Sequence, residues 1–373
     1  MDSYEIRYIG NPLHIEEING ENYITFETVD KLEPDELIEY KDTNGKTRRF
    51  SITKLEAKRE NGFIIYSVYA ESLIYRLNDV IVTNKVPLGS RSGADLMRDV
   101  LVGSGFELGY SDMKDKQWIA GIDKDYFTGK TVRESIAAII EVFGGEIEER
   151  YEGNKKYLDY KKSIGEDKGL TLSYGDNVAN IKKTVDYSEV YTGIFPLGAV
   201  VEEGNTGRKH RLTILGANIK ERMIIDWEAT KKYGIKTENG MIPRIKKVYY
   251  DNIDDVYDLY KKAEASLSVL SKPSVSYEVS GYDLSELIDE QGPVNLGDSV
   301  RIVDEELKID EKQRVMRIER SLKTGEPNTI YFGNREREDF MNQYLTFAER
   351  FQKIEDRAIN RFIDEGIKEG GNY

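Results

Sequence analysis

Short apolar stretches separated by turn signals make up the first 85 residues of the chain. Residues that tolerate a positive φ, as hairpin turns require, recur between the apolar stretches. They stand at Asn19-Gly20, at Thr43-Asn44-Gly45 and at Asn61-Gly62. This pattern predicts an antiparallel β unit over residues 1–85.

The last strand of this predicted unit, Phe63 to Tyr69, is apolar at successive positions. A sheet with one wet face alternates apolar and polar side chains, whereas a strand covered on both faces does not. We therefore expect the core to cover one face and a partner to cover the other. Phe63, Ile65 and Tyr69 are the candidate contact residues on this strand.

The apolar period changes to that of helices after residue 86. Ser92 can cap a helix that ends before Gly103, and Thr131 with Glu134 has the spacing of a capping box. A hairpin around Gly153-Asn154 should follow, so that helices pack on a small sheet. The pattern predicts an inserted α+β domain over residues 86–183.

Strand-like sequence returns at residue 184 and is interrupted once more. From about Asn252 to Pro273, apolar positions recur at helical spacing, and strand patterns resume after residue 275. We predict a second, discontinuous β unit over residues 184–215 and 276–335, with a helical insertion over 216–275. The expected fold class is α+β and rich in β structure.

The final segment, residues 336–373, has the clearest local period in the chain. Its apolar residues are spaced alternately by four and three positions, as in the seam of a left-handed coiled coil. A helix on the surface of the monomer would show a similar stripe, and we favour self-association. The predicted seam residues are Tyr344, Phe347, Phe351, Ile354 and Ala358.

The charge balance makes a nucleic-acid-binding protein a poor candidate. Lys and Arg number 54 against 68 Asp and Glu, which gives a net charge of −14 and repels a phosphate backbone.

Cysteine is absent, so no disulfide framework or thiolate site can form. The start of the chain has no basic region followed by an apolar run, and no segment approaches the roughly 20 apolar residues of a membrane span. We expect a soluble protein made in the cytoplasm.

Candidate catalytic, cofactor and metal motifs are not found in the sequence. Only His14 and His210 are present, neither beside a second ligand-type motif, and we interpret both as ordinary loop or surface histidines. Gly129-Lys130-Thr131 resembles the end of a phosphate-binding loop, but Lys124 stands where that loop requires glycine. Acidic runs such as Asp304 to Glu306 are interpreted as solvated faces. The sequence therefore predicts no catalytic, cofactor-binding or metal-binding residue.

Four blocks taken in order resemble the prophage tail endopeptidase family, whose N-terminal region has the hub fold of phage tail tips. No block is specific alone, so the resemblance depends on their order across nearly the whole chain. The blocks are the Thr131 to Gly145 helix, Val190 to Gly198, Lys232 to Ile235 with the helix ending near Pro273, and Val294 to Val300 continuing to Asn334.

This resemblance implies a homotrimeric baseplate hub with two similar β-barrel-like domains in each subunit. The implied partners are further copies of the chain, a distal tail or tail tube protein, a tape measure protein, and spike or receptor-binding proteins. The implied location is the tail tip of a virion or of a phage-derived particle. The family name refers to a cell-wall-degrading domain, which the short stretch after residue 340 is too small to hold, so the peptidase activity is not carried over.

Two other functions stay open at this point. A tail-associated lysin would cleave peptidoglycan, and a cell-wall zymogram would reveal it. A receptor- or carbohydrate-binding tail module is suggested by the 25 Tyr, because aromatic rings stack on sugars. The even spread of these Tyr along the chain argues against one binding platform, and a glycan-binding screen would test it.

Overall fold

The computed structural model describes residues 5–60, 62–87, 89–118, 126–202, 209–215, 221–250, 253–282, 293–323 and 325–333. These residues form two compact units. The first unit combines the chain up to Thr184 with the segment from Ser276 to the last described residue, and the second is Val185–Val275.

The N-terminal part of the first unit is an antiparallel array built on the predicted turns. Asn19 and Gly45 take φ values of 53° and 74°, and Gly62 takes 85°, so all three turn signals are confirmed. Ile24, Phe50, Ile52, Val68 and Ala70 form its buried core. The elements are β1 (Tyr8–Glu17), β2 (Asn22–Thr28), β3 (Leu37–Lys41), β4 (Thr47–Glu60), β5 (Phe63–Ser72) and a 3₁₀ helix (Leu73–Asn78).

An α+β segment follows, with two helices packed over a three-stranded sheet in the order β7-β10-β9. Ser92 caps the first helix and Thr131 the second, as predicted, and each cap is a complete capping box. Met97, Ile136 and Leu158 are fully buried between these layers. The elements are β6 (Ser90–Ser92), α1 (Gly93–Val100), β7 (Glu107–Ser111), β8 (Lys116–Trp118), α2 (Val132–Phe143), β9 (Glu146–Glu152) and β10 (Lys155–Lys161).

The capping box of α2 offers a direct test of how local sequence sets this helix. Thr131 Oγ1 accepts the backbone N–H of Glu134 at 3.1 Å, and the Thr131 N–H donates to the Glu134 carboxylate at 2.8 Å. We expect Thr131→Ala to lower the free energy of unfolding by about 1 kcal/mol, because one N–H of the first turn loses its acceptor. Thr131→Ser keeps the hydroxyl and should stay close to the parent in urea denaturation. Equal losses in the two variants would contradict this role for the cap.

Strands from both predicted β units lie in one sheet of the first unit. Its order is β12-β20-β23-β22-β1-β2-β5-β4-β3, with β21 on β22 and β11 on β21. The two halves meet where β1 pairs antiparallel with β22, Leu13 opposite Ser321 and Glu17 opposite Arg317. The additional strands are β11 (Asp167–Ser173), β12 (Asn180–Asp186), β20 (Ser274–Tyr282), β21 (Ser299–Asp304), β22 (Ile309–Ser321) and β23 (Pro327–Gly333).

The second unit has its own small sheet, in the order β16-β13-β19, with α4 packed on it. Ile194 and Val248 from the sheet meet Leu259, Ala263 and Leu267 of the predicted helix. Asp255 caps this helix through two backbone N–H groups. The elements are β13 (Gly193–Leu197), β14 (Val200–Glu202), β15 (Lys209–Arg211), β16 (Ile224–Ile225), α3 (Trp227–Tyr233), β17 (Ile235–Thr237), β18 (Gly240–Ile242), β19 (Ile245–Tyr249) and α4 (Val256–Leu270).

The predicted fold class, α+β and rich in β structure, is confirmed. The barrel-like form of the two β domains is not, since no closed barrel is found among the described strands. The five-part division of the chain stays a prediction. β13 lies in the range assigned to the second β unit, but its partners in the structure are β16 and β19. The predicted C-terminal helix, residues 336–373, lies outside the described residues.

Candidate functional site

A polar cleft of ≈ 400 Å³ lies within the first unit. One wall comes from the β1–β2 and β3–β4 turns, and the other from β9, β10 and the loop that precedes β21. Charged side chains of both signs line it, among them Glu16, Arg48, Glu148, Lys161, Lys168 and Asp298. The chemistry of this cleft therefore depends on which of these charges already have partners inside the protein.

Arg314 on β22 holds one side of the cleft together. Its guanidinium makes a two-pronged ion pair with the Glu146 carboxylate at 2.7 and 2.6 Å, and the two side chains are 12% and 4% exposed. The same guanidinium donates to the carbonyl oxygens of Ile164 at 2.9 Å and Gly297 at 3.0 Å. Glu146 also accepts the Ile164 N–H at 2.7 Å. Charge-assisted bonds of this geometry fix β9, β22 and the intervening loops to one another.

A second buried group of charges lies where β1 pairs with β22. We call Glu16, Asp42, Arg48 and Arg320 the Glu16 cluster. Glu16 accepts from Arg320 at 3.0 Å and lies 3.4 Å from Arg48, which binds Asp42 at 2.8 Å. Burial alone would raise the pKa of the Glu16 carboxyl, but Arg48, His14 and Arg320 outweigh it and lower that pKa to about 2. The cluster is thus charged and internally neutralised.

His14 on β1 is fully buried beside this cluster, so its interpretation as a loop or surface residue is wrong. Its Nε2 lies 2.9 Å from the Asn22 amide oxygen and its Nδ1 2.6 Å from the Tyr40 hydroxyl. Burial lowers the pKa of His14 to about 4, with Arg48 and Arg320 acting in the same direction against Glu16 and Asn22. The imidazole is therefore neutral near pH 7. His210, on β15, is exposed as expected.

Three further carboxylates of the cleft are engaged as well. Glu148 pairs with Lys46 and, at 2.7 Å, with Lys161, while Lys168 pairs with Asp298 at 3.2 Å. Burial raises the pKa of the Glu149 carboxyl, which accepts the hydroxyls of Ser72 and Tyr151. Carboxylates held in this way favour a structural ion network over a site that exchanges protons with a substrate.

The predicted contact strand is partly exposed. Phe63 is 68% exposed, at the start of β5, whereas Ile65 and Tyr69 are half-buried. The Tyr69 ring packs against Tyr23 of the neighbouring strand at 4.8 Å between centroids. All three stay candidate contact residues. The seam residues Tyr344, Phe347, Phe351, Ile354 and Ala358 lie outside the described residues.

Metal-ligand clusters and bilayer-spanning helices are both absent from the described ranges. No three acidic or His side chains there are grouped so that they could hold a metal ion. None of the helices within those ranges has the length and apolar character needed to cross a bilayer.

Sequence reasoning missed the buried ion network, although one signal for it was visible. Arg314, Arg317 and Arg320 follow one another at intervals of three along a strand that is otherwise partly apolar. Their partners Glu146, Glu21 and Glu16 are 168, 296 and 304 residues away. Pairs at that separation cannot be matched from a single sequence, because strand and helix periods connect only near neighbours.

The fold is similar to solved tail proteins, two of them from prophages, along almost the whole length of both chains. The prophage tail protein gp18 of Listeria monocytogenes EGD-e is 14% identical, with a TM-score of 0.53, and 89% of this chain matches 91% of that one. The 43 kDa tail protein of prophage MuSo2 from Shewanella oneidensis is 13% identical, with a TM-score of 0.54 and coverage of 89% and 95%. The tail protein of Neisseria meningitidis MC58 is 13% identical, with a TM-score of 0.51 and coverage of 88% and 93%.

A family model matches part of the sequence. No curated protein matches the chain. The family model described as prophage endopeptidase tail matches residues 166–339, which include three of the four blocks that carried the resemblance, whereas the Thr131 to Gly145 helix precedes the matched range. The resemblance is therefore confirmed: residues 166–339 match the prophage endopeptidase tail family.

Proposed function

We propose that this protein is a structural subunit of a phage tail or phage-derived tail particle, and that it forms the baseplate hub. The observation that carries the proposal is the shared fold, which extends over about nine-tenths of this chain and of three tail proteins, two of them from prophages. The family match over residues 166–339 supports the same role. Its location is then the virion tail.

The hub is proposed to be a ring of three identical subunits around a central axis. A heterologous contact between identical chains gives a closed ring when its rotation closes after a whole number of subunits. Such a ring would dock on a distal tail or tail tube protein and carry the spike or receptor-binding proteins, with the tape measure protein in its bore. Exposed Phe63 is a suitable contact residue, since large apolar side chains at the protein surface often mark interfaces.

An enzymatic role, as a tail-associated lysin, is the second candidate because the family name refers to an endopeptidase. The paired carboxylates in and beside the cleft favour the structural role instead, since Glu148 is held by Lys46 and Lys161, and neighbouring Glu146 by Arg314. Clearing of a cell-wall zymogram by this chain would favour the lysin. A third candidate, a receptor- or carbohydrate-binding module, would be revealed by a hit in a glycan screen.

The mass in solution tests the hub directly. Light scattering after size exclusion should give about three times 42.8 kDa. Phe63→Asp should shift this mass toward the monomer, because it places a charge in a contact that excludes water. Val102→Asp is the matched control, since Val102 is 64% exposed against 68% for Phe63. A parent chain that stays monomeric at high concentration would contradict the ring, and equal effects of both substitutions would remove Phe63 from the contact.

A further inference from the structure

The junction between the two halves of the large sheet has an unusual composition. β1 and β22 pair over residues 13–17 and 317–321, and this antiparallel ladder brings the N-terminal strands against the C-terminal strands. Glu16 and Arg320 lie on these two strands and are bonded to each other while nearly buried. The backbone hydrogen bonds of the ladder and the buried Glu16–Arg320 ion pair therefore stabilise the same short stretch of β1 and β22.

Polar or charged groups from five strands surround His14 at this junction. Glu16 comes from β1, Asn22 from β2, Tyr40 from β3, Arg48 from β4 and Arg320 from β22. Phe50 packs edge-on against the ring at 5.2 Å between centroids, so water has little access from that side. Asp42 lies one step further, bound to Arg48.

The charges around His14 balance only while the imidazole is neutral. The two carboxylates Glu16 and Asp42 match the two guanidinium groups Arg48 and Arg320. A proton on His14 adds a third cation to a buried group that has no third carboxylate among these members. Burying an uncompensated charge is costly, so the protonated state favours a conformation in which water reaches the ring.

The hydrogen bonds of His14 point the same way. The Asn22 amide oxygen can only accept, so Nε2 carries the hydrogen and Nδ1 accepts the Tyr40 hydroxyl proton. A protonated imidazole has no free lone pair on Nδ1, and the Tyr40 hydroxyl would have to turn its proton elsewhere inside the packed junction. Protonation therefore reverses the 2.6 Å hydrogen bond, leaves the Tyr40 hydroxyl proton without its acceptor and upsets the charge balance.

We propose that the β1–β22 junction is an acid-releasable joint: protonation of His14 opens this ladder and parts the sheet between β1 and β22. The joint is a property of this fold and does not depend on the proposed hub role. In a subunit that has to change shape on a signal, the sheet would separate first between β1 and β22.

The direction of the pH effect follows from the His14 environment. Because the folded pKa of about 4 is below the unfolded value of about 6.5, the closed joint is fully stable above pH 6.5 and loses stability as the pH falls toward 4. Between pH 7.5 and pH 5 the opening equilibrium should rise roughly 30-fold. Glu16 contributes mainly below its unfolded pKa of about 4.5, so His14 dominates the upper part of this range.

Hydrogen exchange measured by mass spectrometry at pH 7.5 and pH 5, corrected for the intrinsic rates, tests the joint. Peptides covering residues 13–17 and 317–321 should exchange about 30-fold faster at the lower pH, beyond any change in peptides of β4, α2 or α4. His14→Gln, which keeps a neutral hydrogen-bonding side chain, should abolish the difference. His210→Gln, which changes the other histidine, should leave it intact.

Several outcomes would overturn the proposal. An acid response that is unchanged in His14→Gln would remove the histidine from the mechanism. An equal increase in the exchange rate of all peptides at the lower pH would show global unfolding and no local opening at the joint. If His14→Gln fails to fold, the parent chain still tests the proposal. Its opening equilibrium should begin to rise near pH 6.5 and increase by no more than tenfold per pH unit. A rise that begins only below pH 5 would assign the opening to carboxylates.

Discussion

Replacing Arg314 with methionine is expected to destabilise the first unit by about 3–5 kcal/mol, the loss found when one partner of a buried ion pair is removed. The substitution leaves the Glu146 carboxylate, 4% exposed, without its bidentate partner. It also removes the donor that serves the Ile164 and Gly297 carbonyl oxygens. The midpoint and slope of urea denaturation, followed by tyrosine and tryptophan fluorescence, would measure the loss.

Arg301 supplies the matched control for this experiment. It also makes a two-pronged pair, with Asp310 at 2.7 and 2.8 Å, but these side chains are 55% and 61% exposed. Solvent screens exposed pairs, so Arg301→Met should leave the midpoint almost unchanged. If Arg301→Met and Arg314→Met shift the midpoint equally, burial is not what gives the Arg314 pair its effect.

A double variant separates the value of the pair from the penalty for a lone charge. Arg314→Met combined with Glu146→Met removes both charges together, and apolar replacement of a buried pair is often close to neutral. We therefore expect the double variant to be more stable than Arg314→Met alone. Additive losses from the two substitutions would argue that the charges act independently.

The second large effect is expected at Gly165, where two loops of the first unit pass against each other. Gly165 has a φ of +75°, and a Cβ placed on it would overlap the backbone of Gly297 and Asp298. Backbone atoms cannot swing away as a side chain can, so the loops must separate. We expect Gly165→Ala to cost about 3–5 kcal/mol, combining left-handed strain with overpacking. The urea midpoint again measures it.

A substitution at Gly45 measures the cost of left-handed backbone strain without that of overpacking. Its φ of +74° matches that of Gly165, but a Cβ added there would meet no atom within 4 Å, so only the strain of a left-handed alanine is introduced. Gly45→Ala should cost about 1–2 kcal/mol. A Gly165→Ala variant no less stable than Gly45→Ala would show that the two loops can move apart freely.

Local signals in the sequence predicted the individual elements well. Ser92 and Thr131 mark the starts of α1 and α2 because an N-cap acts on the first turn of its own helix. Asn19 and Gly45 mark turns because φ is a property of single residues. Each of these features depends on residues a few positions apart, and such features can be read from one chain.

The arrangement of the elements could not be predicted in the same way. The pairing of β1 with β22 brings together Glu16 and Arg320, which are 304 positions apart, and no period or turn signal encodes it. His14 lies opposite Arg320 in that pairing, so its charged surroundings also depend on it. The candidate site was therefore missed for the reason that the sheet order was missed, since both depend on contacts between distant segments.

The strand order also bears on how such chains diversify. β12 and β20 are neighbours in the sheet, with Lys182 bound to Glu278, and the whole of Val185–Val275 is spliced between them. An inserted segment whose two ends join adjacent strands can be lengthened, shortened or exchanged without changing the register of those strands. Recombination between related genes could therefore replace this stretch while the framework around it keeps its hydrogen bonds.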